Sequence, residues 1–261
     1  MMEFETIRLE GEGPVRHLVL NRPQVHNAIN ATLVREVRDA CLTVDDDPTV
    51  RVMILSGEGK SFCSGADLKA PRTSTAERMT GSKQGARMFD ILTNLNAITI
   101  ACCHGHMIGG GAILPAGCDF RVGSPTMKLC LNENSIGANL TWHSVPAMIQ
   151  LVGPAKTKEM LIFGRTYGAD AMVDYGYLDE VVDSDDALVG KAEELAAEIV
   201  AQPPVPVTLT KASVNAWTKA IDRSVQHMDH VAVGFMAGSE NSKIAMSTYF
   251  GDRDQRIYVE E

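Results

Sequence analysis

No stretch of the 261 residues is apolar for long enough to span a bilayer, and the opening MMEFETIRLEGEG lacks the basic-then-apolar order of a signal peptide. Cations are in deficit: 24 Lys and Arg against 33 Asp and Glu give a net charge of −9. That argues against a nucleic-acid surface, because phosphate neutralisation needs clustered Lys and Arg. The six cysteines (41, 63, 102, 103, 118 and 130) make no CxxC pair and no disulfide-framework spacing. In apolar surroundings they read as reduced thiols of a cytoplasmic protein, with no metal site. No Ser sits in a G-x-S-x-G elbow, the commonest esterase signature. The GEGKS stretch at 57–61 fails as a P-loop because Ile54 stands where the first glycine belongs. The glycine triplet at 109–111 fails as a dinucleotide fingerprint because its third glycine would fall at Leu114. Internal repeats and low-complexity segments are also missing.

A hydrophobic content of 45% supports one large α/β core, or a core plus a small appendage. FETIRLE and VRHLVLN alternate around GEGP and predict a hairpin. NATLVREVRDACLTVDDD carries Leu33, Val34, Val37 and Cys41 at helical spacing, with Asn30 as N-cap. Continuous apolar runs at 50–57 and 97–103 predict strands buried on both faces. A helix is predicted over 75–95, and further short strands over 118–123 and 127–131. This strand–helix–strand rhythm implies parallel pairing through right-handed crossovers. Beyond about residue 150 the pattern turns helical: GPAKTKEMLIFG, GADAMVDYG, DALVGKAEELAAEIVAQ and Val205 to Phe250, with one strand at LDEVVD. The clearest break is QPPVP at 202–206, so residues 1–202 read as the core and 203–261 as a C-terminal helical region.

Two loops share a setting. SFCSGADLK (61–69) follows one buried strand and GHMIGGGAIL (105–114) follows the next. Loops at the carboxyl ends of parallel strands converge on one crevice. The triplet also opens a short apolar helix, whose first N–H groups lack acceptors and favour negative charge. Two such N–H groups aimed at one oxygen form an oxyanion hole for an enolate or a tetrahedral intermediate.

Six segments, LNRPQVHNAI (20–29), SFCSGADLK (61–69), GHMIGGGAILPAGCDFRV (105–122), NENSIG (132–137), GPAKTKEMLIFGR (153–165) and YGYLDEVVD (175–183), closely resemble the crotonase superfamily, the enoyl-CoA hydratases and isomerases. They stand in the family's order and spacing and cover nearly the whole chain. The resemblance implies an α/β, crotonase-like ββα superhelix spiral core with a helical C-terminal trimerisation region. It implies a homotrimer or dimer of trimers acting in acyl-CoA and fatty acid metabolism. The expected partner is an acyl-CoA thioester substrate, with no membrane or nucleic acid partner and no cofactor beyond the coenzyme A of that substrate. By the same resemblance, the backbone N–H groups of Ala66 and Gly110 bind the thioester oxygen. The candidate contacts to coenzyme A are Gln24, Val25, His26, Ser64, Ala66, Asp67 and Leu68. Gln24 departs from the basic residue many members carry.

The family's hydratases use two glutamates to hold and activate a water. The first lies two residues past the triplet, where this chain has Ile113; the second matches Glu133. One carboxylate suffices to move a proton within the substrate, and burial beside Ile113 would raise its pKa to a useful range. The pattern therefore points to an isomerase ahead of a lyase-type hydratase, with Glu133 as acid/base. Hydration, hydrolysis or decarboxylation, or a silent acyl-CoA-binding role, stand as alternatives. By the resemblance, ANLTWHSVP (138–146) replaces the hydratases' PGAGG and puts Trp142 and His143 where glycines would widen the pocket: either they sit on the following helix and merely pack, or they shape the acyl pocket. His143 is read as a packing residue ahead of a second acid/base. His104 and His106 are read as local hydrogen-bonding groups, His106 being the nearer to the pocket. Thr141 fills the slot where dehalogenases place an aspartate, which argues against dehalogenation.

Overall fold

A computed structural model describes residues 3–68, 74–249, 251 and 258–259. Lys69 of the SFCSGADLK segment and Phe250, the end of the predicted helical stretch, lie outside the described residues.

The chain opens with the predicted hairpin, β1 (Ile7–Glu10) against β2 (Val15–Leu20), paired antiparallel with Ile7 opposite Leu20. Helix α1 (Ala31–Asp45) follows, its first turn capped by Asn30, whose side chain accepts from the Leu33 N–H at 2.8 Å. The helical spacing buries Leu33, Val34, Val37, Cys41 and Val44 on one face. Next come β3 (Val52–Gly57), α2 (Thr75–Thr93), β4 (Ile98–Cys103), β5 (His106–Ile108) and α3 (Gly110–Ala116). β6 (Phe120–Gly123), β7 (Lys128–Cys130) and α4 (Ser144–Phe163) continue the rhythm. The remainder is β8 (Thr166–Tyr167), α5 (Ala169–Asp174), β9 (Glu180–Val181) and α6 (Ala187–Val200). The C-terminal helices are α7 (Pro204–Thr218), α8 (Arg223–Gln226), α9 (Asp229–Gly238) and α10 (Glu240–Ser247).

The strands sort into two sheets, ordered β1-β2-β3-β4-β6-β9 and β5-β7-β8. From β2 to β9 the large sheet is parallel. The small sheet is prolonged by single parallel bridges, Cys63 with Met107 and Ile29 with Ala66. Successive turns of chain thus place one extended segment in each sheet and then a helix: β2, Ile29, α1; β3, residues 63–66, α2; β4, β5, α3; β6, β7, α4. This is the ββα spiral expected from the sequence.

The period-2 alternation of a strand explains why the two central runs are apolar throughout. Met53, Leu55, Ala101 and Cys103 face the main core with α1, α2 and α3, whereas Val52, Ile54, Ile100 and Cys102 face α6 through Leu188, Ala192 and Ala196. Several boundaries differ from expectation. α4 opens with a helix from Ser144, well before the GPAKTKEMLIFG segment, and Gly153, non-helical at φ 76°, separates it from a second helix that begins at Pro154 as that segment predicts. The strands predicted over 118–123 and 127–131 shorten to β6 and β7 because Cys118 and Asp119 are used to close α3 and brace β4.

α7 is fixed to the core by a shielded ion pair. Lys211 Nζ donates to Asp119 Oδ2 at 2.6 Å and to the Ala97 carbonyl at 2.8 Å, and the same carboxylate oxygen accepts from Thr99 N and Oγ1. Removing one partner of a shielded pair strands the other. Lys211→Met is expected to lower unfolding stability by about 2–4 kcal/mol; a urea midpoint equal to that of the parent protein would show that α7 docks without it.

Candidate active site

The two loops singled out in the sequence are joined by a backbone ladder. Cys63 N donates to His106 O at 3.0 Å and Ile108 N to Cys63 O at 3.1 Å. On the other side, Ile29 N donates to Gly65 O and Asp67 N to Ile29 O. The bridge bonds around Ala66 are thus made by its neighbours and leave its own N–H out of the ladder. Gly110 is the first residue of α3, so its N–H has no acceptor within the helix. The triplet is glycine because neighbours crowd it. A Cβ on Gly111 would overlap the Cys63 carbonyl, one on Gly110 would lie 2.9 Å from Ile29 Cδ1, and one on Gly109 would lie 2.8 Å from Glu133 Oε1. Gly109 also takes φ 52°, a left-handed conformation that disfavours side chains. Behind α3, the fully buried Tyr177 donates its hydroxyl to the Ala112 carbonyl at 2.5 Å.

Glu133 therefore lies against the start of α3. Its Oε2 is closed off from solvent and has no hydrogen-bond partner. Burial raises its carboxyl from the ordinary 4.5 to about 7. Ile113, where a second carboxylate would stand, is enclosed in the main core. The turn bearing Glu133 is held from the C-terminal region: Asn132 Nδ2 donates to Tyr249 Oη at 2.6 Å and Ser242 Oγ to the Gly137 carbonyl at 2.5 Å.

The segment proposed to meet coenzyme A is an exposed turn with a rigid root. Gln24 and His26 are exposed and Val25 half-buried. Beneath them Asn27, fully buried, donates its amide to the carbonyls of Glu58, Ser61 and Phe62 at 2.9–3.0 Å. Ser64 N donates to the His26 carbonyl at 2.9 Å. Asp67 is engaged by Arg22 at 3.2 Å, while Leu68 is exposed. His26 Nδ1 is hydrogen-bonded to Ser61 Oγ at 3.1 Å, and its ring meets that of His106 edge-on at 6.2 Å. His104 is buried, with Nε2 donating to the Gly59 carbonyl. Burial pushes the Cys63 thiol up to about 12, so this loop carries no thiolate nucleophile near neutral pH.

Trp142 and His143 are placed differently from expectation. They form the corner before α4 rather than a part of that helix, and both adopt left-handed backbone, φ 64° and 61°. For non-glycine residues each such conformation costs about 1–3 kcal/mol and persists only where surroundings impose it. Here they do: His143 N–H donates to Asp229 Oδ2 at 2.7 Å, and its Nδ1 to the Asp90 carboxylate at 2.9 and 3.0 Å. His143 is tied to α2 and α9. The Trp142 indole fills the space between α2 and the triplet: a Cβ on Gly85 would overlap its pyrrole edge, and one on Gly110 would lie 3.2 Å from Cζ3.

Among the described residues no helix is long and apolar enough to cross a membrane, and no group of three or more His, Cys, Asp or Glu is arranged to hold a metal ion. The family model for enoyl-CoA hydratase/isomerase matches residues 10–256. The chain belongs to that family. A crotonyl-CoA hydratase of Syntrophomonas wolfei is 29% identical over 255 residues, covering 97% of each chain. A peroxisomal Δ(3,5)-Δ(2,4)-dienoyl-CoA isomerase of Arabidopsis thaliana is 30% identical, covering 80% of each. The crystal structure of an enoyl-CoA hydratase/isomerase from Mycobacterium paratuberculosis superposes with a TM-score of 0.87 at 21% identity, over 95% of this chain and all of that one. That likeness bears on the fold, and the fold is the crotonase fold. The chain is a crotonase-family acyl-CoA enzyme.

The sequence singles out Ala66, Gly110, Glu133 and Trp142, and the structure sets Glu133 against Gly109 and Trp142 against Gly110; what braces these segments was missed. Asn27, Asp90, Asp229, Ser242 and Tyr249 act across large separations, and no local pattern marks them. Gly85 did carry a signal, since glycine inside a helix costs about 1 kcal/mol against alanine and implies a close neighbour.

The Glu133 environment has a stability consequence. In the unfolded chain its carboxyl ionises near 4.5, whereas the fold keeps the proton to about pH 7. Between these values the folded chain binds more protons, so the residue's penalty grows as pH rises. Glu133→Gln is expected to match the parent in relative stability below about pH 4 and to gain up to about 3 kcal/mol by pH 8. Urea unfolding of both proteins across that range measures this; a pH-independent difference would show that burial does not raise this carboxyl.

Proposed function

We propose that this enzyme shifts a double bond in an enoyl-CoA by an isomerase-type route through a thioester enolate. The observation that carries the reading is the buried carboxylate of Glu133 beside the triplet, whose Oε2 has no hydrogen-bond partner, with Ile113 where a second would stand. The thioester oxygen accepts from the Ala66 and Gly110 N–H groups, which need no reorganisation to receive developing negative charge. Ionised Glu133 removes a proton α to the thioester, and the C–H electron pair moves into the enolate. Protonated Glu133 then returns the proton at the γ carbon, and the enolate electrons re-form the thioester carbonyl beside the new α,β double bond. A carboxyl near pH 7 suits both halves of this transfer. Trp142 lines the acyl side, with His106 and His143 at its margins and His143 holding the corner, while Ile113 is enclosed in the main core. Gln24, Val25, His26, Ser64, Asp67 and Leu68 contact coenzyme A, and the substrate brings the only cofactor.

Hydration is the second reading. What favours it is the crotonyl-CoA hydratase relative, alike over 97% of both chains. It needs a second group to orient water, which Ile113 does not supply. The proposal also includes a cytoplasmic homotrimer or dimer of trimers, with Trp217, Ile221 and Phe235, exposed apolar side chains of the C-terminal region, between copies.

A paired assay of 3-enoyl-CoA isomerisation and 2-enoyl-CoA hydration decides between the two readings; faster hydration would overturn the isomerase assignment. Glu133→Gln is expected to cut the favoured turnover by about 10²–10⁴-fold. The parent's kcat/KM should rise with pH through about 7, because only ionised Glu133 accepts the proton. Full turnover by the Gln variant would remove Glu133 from the chemistry.

A further inference from the structure

The bulkiest group beside the triplet is an indole that nothing in the proton transfer requires. Trp142 spans the gap from α2 to α3: its pyrrole edge sits in the notch at Gly85, and Cζ3 and Cη2 of its benzo edge come within 3.2–3.3 Å of where a Gly110 side chain would start. Ile29 Cδ1 closes the same spot from the other side. The ring is delivered by two successive left-handed residues, and the second is fastened by Asp229 through its N–H and by Asp90 through its imidazole. Gln226 Nε2 adds a longer bond to the His143 carbonyl at 3.4 Å. Buried packing alone does not call for such a corner. Strained backbone kept in place by several independent bonds is a recurring feature of ligand-facing positions.

We propose that Trp142 is the wall that limits acyl length, selecting short straight-chain acyl thioesters, and that Asp90 and Asp229 are positioning residues that hold it there. The inference rests on the thioester reading of the site. With the carbonyl oxygen on Gly110 and Ala66 and the α carbon at Glu133, the acyl chain leaves the triplet toward the benzo edge of the indole. A chain that reaches that edge has to displace an aromatic ring wedged between two glycines with each further methylene. A hydrophobic pocket discriminates by about 10–200-fold per methylene it cannot hold.

The chain has two tryptophans, and Trp217 is 82% exposed. Trp217→Phe therefore leaves Trp142 as the sole emitting indole. Saturated acyl-CoAs of two, four, eight and twelve carbons serve as probes that bind without turning over. In the Trp217→Phe protein, butyryl-CoA should shift Trp142 emission, and affinity should fall at least tenfold from four to twelve carbons. In Trp142→Ala, followed by calorimetry, that fall should vanish. Trp142→Phe should give an intermediate profile and serves if the Ala variant does not fold. Asp229→Ala and Asp90→Ala should flatten the length profile, whereas Asp229→Asn, whose amide oxygen still accepts the His143 N–H, should restore it. A role confined to stability would lower the melting temperature of the Asp variants and leave the length profile as it was. An unchanged length profile in Trp142→Ala, or equal affinity for four and twelve carbons in the parent, overturns the wall. Folded protein that binds none of the four thioesters overturns the thioester reading and the wall together.

Discussion

The site depends on a short piece of backbone pairing. Residues 63–66 lie as a strand-like rung between Ile29 and β5, bonded to both. One N–H group of the proposed oxyanion hole hangs from that rung. It pairs Ala66 with Ile29, sets Gly65 against the Ile108 carbonyl and presses Cys63 against Gly111. Because each bond is between main-chain atoms, side-chain identity enters mainly as a limit on size. The glycine triplet is the record of that limit, one residue crowded by Glu133, one by Ile29 and Trp142, and one by Cys63.

A second dependence follows from the first. A loop that supplies only N–H groups cannot move a proton, so the chemistry falls to whatever titratable group lies against it. In the proposed chemistry Glu133 is that group, and its value as a base there comes from being poorly served. An oxygen with neither solvent nor a donor keeps its proton to higher pH than an exposed carboxylate does. The fold tolerates this penalty because the surrounding turn is fixed by Asn132, Gly137 and the residues they bond.

Much of the fold was legible in the sequence where one face decides the residue type. The helical spacing in α1, its Asn30 cap and the unbroken apolar runs of β3 and β4 each report directly on burial. The converging loops were legible for the same reason, since glycine and alanine mark close backbone approach. The corner at Trp142 and His143 was not. Left-handed backbone is signalled by glycine or asparagine, and here it is imposed on a tryptophan and a histidine by aspartates 53 and 86 positions away. The Gly153-Pro154 pair was legible as a helix start, since Gly153 is non-helical at φ 76° and a second helix of α4 begins at Pro154.

The bonds from Ser242 and Tyr249 to the Glu133 turn connect residues 105 and 117 positions apart. During synthesis, then, the base is made long before the parts that hold it. A nascent chain that has already closed both sheets still lacks the bonds from Ser242 and Tyr249 to that turn. The turn that carries Glu133 is therefore completed last, when α10 settles onto it.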